Sequence, residues 1–250
     1  MLDLRLIRAE ILKLRRRRGL MVWTALLTFG AVALCYGLGA LMHVVGDPVE
    51  WKPVGGREGF DLAMALLAMT GAVAGVLIGA TAGGADIEAG VFRDLAATGR
   101  SRSALFFARV PGAWAILVPA TLAAIGGAAI LASVLDGAGA VPASTVVQGG
   151  GAALAATMML GAASVGLAGL ANSRGMVIGT VLAFQLGLSP ILAQIGALGD
   201  VRYAIPSVAT ARIGGNLADE VALAVAVLVV VGWMAVTLGA GLWRTRTQEI

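Results

Sequence analysis

Apolar residues gather into six long stretches, at about 20–45, 60–83, 111–135, 144–171, 175–198 and 219–242. Each is long enough for a helix crossing a hydrocarbon core, which needs roughly 20 residues. The breaks between them carry turn chemistry: Gly46-Asp47-Pro48, Gly83-Gly84-Ala85-Asp86, Asp136-Gly137, Asn172-Ser173-Arg174-Gly175 and Gly214-Gly215-Asn216. Only the short Asn172–Gly175 turn divides the fourth stretch from the fifth; without Arg174 the two would read as one very long helix. An even number of crossings puts both termini on one side.

Two segments outside the spans have helical periodicity with charge. In residues 2–18, Leu4, Ile7, Ile11 and Leu14 recur at helical spacing among Asp3, Arg5, Arg8, Glu10 and Lys13. That pattern predicts a helix lying along the inner headgroups. The other reading of the same residues is a disordered lead whose Arg15 to Arg18 enforce topology. Between the second and third spans, residues 85–110 carry Ile87, Val91 and Leu95 on one helical face with Phe92 beside them, and Glu88, Arg93 and Asp94 on the other sides. Asp86 and Glu88 suit the positive end of a helix dipole, so a short amphipathic helix is predicted to begin there. The turn Gly99-Arg100-Ser101-Arg102 ends it, and Ala104 to Val110 leads through Arg109 to Pro111 as the start of the third span. An inner loop needs only two or three residues; this one has 26, with carboxylates among the bases. A docking surface for another protein and a merely interfacial helix are the two readings.

Composition fixes the class. The chain is 59% hydrophobic and 13% charged, against roughly 45–50% apolar and about 25% charged in soluble domains. It is predicted to be an all-α integral membrane protein, a single transmembrane domain over residues 1–250. The first apolar run far exceeds the roughly 7–15 residues of a signal h-region, so it reads as a retained helix. The basic excess, 18 Lys and Arg against 14 Asp and Glu, is read by side of the membrane and not as a sign of nucleic acid. Arg5, Arg8, Lys13, Arg15, Arg16, Arg17, Arg18, Arg93, Arg100, Arg102, Arg109, Arg174, Arg244 and Arg246 fall on the side of the termini; Lys52, Arg57, Arg202 and Arg212 fall on the other. That fourteen-to-four split predicts a multi-pass protein of the cell membrane with both termini and the 85–110 segment in the cytoplasm. The lone Cys35 lies in an apolar run and makes no internal disulfide; it reads as a filler.

The spans contain three patterns that bear on function. Gly71, Gly75, Gly79 and Gly83 recur every four residues and bare one helix face. That face suits packing within the bundle, or a subunit interface or transport path. Pro119 and Pro190 each remove a backbone donor, which predicts local bends. Around Pro190, Gln185, Ser189 and Gln194 concentrate polar atoms, either facing a substrate or bonding to neighbouring helices. What is missing matters as much. No Asp, Glu, Lys, Arg or His falls mid-span, and a central ionisable group is the usual mark of ion coupling. His43 and Cys35 are the only residues of their kinds, so they make no zinc set. Lys13 and Lys52 follow Leu12 and Trp51, which excludes a Gly-Lys-Ser/Thr phosphate loop. No catalytic residue, metal site or bound cofactor is expected; transport driven by nucleotide hydrolysis would need a second polypeptide.

In layout the chain resembles the membrane subunits of type-2 ABC exporters. They have a cytoplasmic N-terminal helix, six spans and a coupling segment between the second and third. The family often shows a Glu-x-Gly-Thr-like start and a small-residue turn with arginine; this chain has Glu88-Ala89-Gly90-Val91, with Val91 in place of the usual Thr, and Gly99-Arg100-Ser101-Arg102. The resemblance implies export of an amphipathic or hydrophobic molecule such as a drug, antimicrobial peptide or lipid-like compound. ATP and magnesium would sit on a separate ATPase subunit, and a second copy of this chain or a related permease would complete the transporter. It further implies that Asp86, Glu88, Gly90, Arg93, Arg100 and Arg102 dock the ATPase. Short re-entrant helices between Asp200 and Ala218 are implied as well. The rival of another class is a non-transporting membrane anchor or assembly subunit, in which the glycine face and the basic segment serve only binding.

Overall fold

The computed structural model describes residues 4–46, 54–91, 99, 101–136, 140–216 and 220–247. Among these residues it is helical with no strand, and six of the helices are long and apolar enough to cross a membrane. A short helix α1 (Leu4–Arg15) precedes α2 (Arg18–Val45). Next come α3 (Gly56–Glu88), α4 (Arg102–Asp136), α5 (Ala143–Ala171) and α6 (Arg174–Gln194). A 3₁₀ segment (Gly196–Ala204) and α7 (Pro206–Ile213) lead to α8 (Leu223–Thr247). The six long helices alternate in direction, so the bundle has a near end, with both termini, and a far end.

Helices α3 and α5 form the centre, and small residues are the reason. A methyl group added at Gly75 would lie 2.5 Å from the Thr157 carbonyl oxygen, at Gly79 2.1 Å from that of Gly161, and at Gly83 2.5 Å from that of Val165. At Gly71 it would meet the Thr157 hydroxyl at 2.6 Å. All four glycines of the second span therefore face α5; at Gly75, Gly79 and Gly83 backbone meets backbone, while Gly71 receives the Thr157 side chain. A second seam joins α5 to α8, where a Cβ at Gly166 would lie 2.3 Å from Thr237 O and one at Gly241 2.3 Å from Gly166 O. Elsewhere larger side chains fill the gaps: Val32 and Tyr36 of α2 pack with Phe60 and Leu67 of α3 and Ile125 of α4. The buried Tyr36 hydroxyl donates to Ala128 O at 3.1 Å, so no polar atom is stranded there.

Several boundaries differ from the apolar runs, each for a local reason. Helix α3 continues through Gly83 and Gly84 to Glu88 instead of stopping near 83. A Cβ at Gly84 would lie 3.2 Å from both Cβ and N of Arg174, so this pair serves close approach and not a turn. The helix ends at Gly90, whose φ of +70° is the left-handed conformation that glycine adopts freely. Asp86 and Glu88 consequently occupy the last turn of α3, not the first turn of a separate helix. Helix α4 begins at Arg102, so Pro111 and Pro119 both lie inside a helix that runs on to Asp136. At Pro190 the ladder changes form: Ala183–Leu188 is π-helical, its wider turn accommodating the missing donor and the bulk of the ring. The turn between α5 and α6 is built by Asn172, in the left-handed region at φ 55°, and by Ser173, whose hydroxyl accepts from the Met176 N–H at 3.3 Å.

Candidate functional site

The near end of α3 carries a cluster of charges drawn from four helices, α1, α3, α4 and α6. Asp86 Oδ2 accepts from Lys13 Nζ of α1 at 2.8 Å, and Lys13 also pairs with Glu10 at 2.6 Å. Arg109 of α4, only 1% exposed, donates from Nη1 to the Gly83 carbonyl at 2.8 Å and brings Nη2 to 3.9 Å from Asp86. Glu88 pairs with Arg174 at 3.0 Å and also accepts from its backbone N–H. These bonds answer a local problem. Carboxylates in the last turn of a helix face the negative end of its dipole, and Lys13, Arg109 and Arg174 offset that repulsion. Helix α1 is held by packing too: Leu14 is buried beside Ile78, Val110 and Leu117.

The six residues expected at a docking surface are therefore in different situations. Asp86 and Glu88 are engaged by cations of this chain. Gly90 is the exposed turn after α3, and Arg102 reaches the Arg246 carbonyl of α8 at 3.4 Å. Arg93 and Arg100 lie outside the described residues. Sequence reasoning missed Arg109 as the centre of the cluster. Its signal was an arginine at the edge of an apolar run, two residues before a proline.

At the far end the bundle opens. Helix α6 packs on α3 through Arg174–Leu182, and from the π turn onward it diverges. A cavity of about 510 Å³ fills the angle, walled by the far halves of α3 and α5, by α6 and by α7. Ala65, Ala68, Ala152 and Ala156 give it apolar walls, while Gln148, Thr145, Gln185 and Asn216 supply polar atoms. Arg57 and Asp61, paired at 3.6 Å and more than half exposed, stand at its mouth. Met69, Leu186 and Pro190 are exposed beside it, so it also opens sideways between α3 and α6. Of the three residues expected on a substrate path, Gln185 lines the cavity. Ser189 is buried and bonded to Ser207 of α7 at 2.6 Å, and Gln194 is exposed outside the cavity.

Helix α7 is the element that closes this end. Pro206 opens it, and Val208, Ala209 and Thr210 are buried, packed toward α5 and α8. It is anchored by Arg212, which donates to the Val221 carbonyl, and by Trp233 Nε1, which donates to Ala204 O at 2.9 Å. Beyond it Arg202 pairs with Glu220 at 2.6 Å and donates to the Tyr203 hydroxyl at 2.8 Å. That hydrogen bond, aided by Glu220 and Asp200, raises the guanidinium pKa above its ordinary value. Among the described residues no three His, Cys, Asp or Glu side chains gather as a metal site. Compared with protein-family models and with curated proteins, the chain gives no match.

Proposed function

We propose that the chain is the transmembrane subunit of an ATP-binding-cassette exporter that moves an amphipathic or hydrophobic molecule out of the cell. In this reading both termini and residues 85–110 face the cytoplasm of a cell-membrane protein, by the distribution of Lys and Arg. Helix α1 lies along the inner headgroups. The segment after Glu88 docks on a separate ATPase, which binds ATP and magnesium, and a second copy or a related permease completes the assembly.

The observation that carries this reading is the continuity of α3. Its 33 residues, about 50 Å at 1.5 Å per residue, join the charge cluster and the proposed docking segment at one end to the cavity at the other. A push on the segment after Glu88 acts on α3 directly. It also reaches α1 through Lys13, α4 through Arg109 and the α5–α6 turn through Arg174. Movement of α3 against α6 then changes the width of the cavity, coupling hydrolysis on the partner to access here.

The test is co-purification followed by assay. The affinity-tagged chain is expected to carry with it a protein that hydrolyses ATP in the presence of magnesium. An Arg100→Glu, Arg102→Glu double substitution is expected to lose both that protein and export. A chain that captures no ATPase, together with a double variant that exports normally, defeats the proposal. Stable capture of some other membrane protein in its place would favour the anchor reading.

A further inference from the structure

Gln185 sits in the wall of the far-end cavity, and its Oε1 is buried with no hydrogen-bond partner. An orphaned buried acceptor costs on the order of 1–3 kcal/mol, a deficit that native structures rarely leave standing. The terminal torsion of a glutamine is broad and roughly two-fold. Rotation about it exchanges the two ends of the amide, and with the oxygen turned to the lumen that Gln185 lines, a donor on an occupant would satisfy it. The π turn places this residue there, since Gln185 lies within Ala183–Leu188 where α6 leaves α3.

Three further observations limit the occupant. The volume, about 510 Å³, falls within the range of about 300–1,000 Å³ typical of small-molecule sites and is too small for a folded peptide. The charged residues of the lining, Arg57 and Asp61, neutralise one another at the mouth, so no unpaired charge invites an ion inside. The sideways opening past Met69 and Leu186, both exposed, admits a molecule already dissolved among lipid chains.

From these we infer that the cavity binds a single small, uncharged amphiphile, an apolar chain bearing one amide or hydroxyl donor, with Gln185 as the acceptor that fixes its head. The inference rests on the exporter reading only in calling that molecule the cargo; the binding itself requires no ATPase.

The test uses the full chain alone in lipid nanodiscs and two isotope-labelled probes, N-dodecylacetamide and N-dodecyl-N-methylacetamide. They share a chain and a carbonyl, and only the first has an N–H. Equilibrium binding is expected to favour the first by about three- to tenfold, the worth of one net hydrogen bond. Gln185→Leu is expected to bind both probes equally, and Ala65→Phe, which fills the cavity from an exposed position, to bind neither. Equal affinity of the unsubstituted chain for the two probes, no binding of either, or binding that survives Ala65→Phe overturns the inference. Because Ala65→Phe needs no rearrangement of α6, it keeps the test decisive if Gln185→Leu misfolds. Failure here leaves ATPase capture intact, and failure of ATPase capture leaves this binding intact.

Discussion

The two ends of the bundle solve opposite problems. At the near end, Lys13, Asp86, Arg109, Glu88 and Arg174 knit the first helix, the two helices that end at Glu88 and begin at Arg102, and the α5–α6 turn into one body. The glycine seam from Gly71 to Gly83 extends that rigidity along α3. At the far end the same α3 is bordered by a cavity, a π turn and a short inserted helix. Close backbone packing leaves no room for adjustment, whereas wider helical turns and unfilled volume supply it. The open volume borders only one side of the far end of α3, for Phe60 and Leu67 remain packed against α2 and α4 on the other.

Removing the centre of the near-end cluster is the strongest way to break this contrast. Arg109→Leu removes the side-chain donor to the Gly83 carbonyl and leaves Asp86 with one cation fewer. A loss of about 3–5 kcal/mol is expected, as for breaking a buried charged pair; denaturant titration in detergent measures it. A loss below about 1 kcal/mol would mean that the near end is not the rigid one.

Next in size is a paired substitution. Gly79→Ala puts a methyl against the Gly161 carbonyl, and a cost of about 1–3 kcal/mol is expected from overpacking. Ala65→Phe, which adds far more volume but into the cavity, should shift stability by less than about 1 kcal/mol. Thermal unfolding of the two variants side by side decides whether packing tolerance really differs between the ends. The smallest effect is expected at Glu88→Gln. Its pair with Arg174 is partly exposed, and about 0.2–1 kcal/mol should be lost at low salt. Raising the salt should shrink that difference but not the one at Arg109.

The number of long helices was legible because membrane thickness sets their length, and an apolar run of that length has few other uses. Their ends at the near side were less so. Gly83-Gly84 and Pro111 look like punctuation in a linear reading, yet each lies inside a helix: the glycines admit the backbone of α5 and Arg174, and α4 tolerates its proline. For the same reason the acids at 86 and 88 were assigned to the wrong end of a helix. The cavity left almost no trace. Its walls are alanines and other small residues from four elements remote in sequence, and spacing could not separate Gln185, which lines it, from Gln194, which does not.

The misplaced acids have a consequence for biogenesis. As the chain is synthesised, Asp86 finds Lys13 already made and receives Arg109 soon afterwards, whereas Glu88 must wait for a partner 86 residues downstream. Until Arg174 leaves the ribosome, the second hydrophobic helix stands in the bilayer with one of its two terminal acids still unpaired. The last stitch at that end is made only once the fourth helix has been inserted and the chain has turned back toward the fifth.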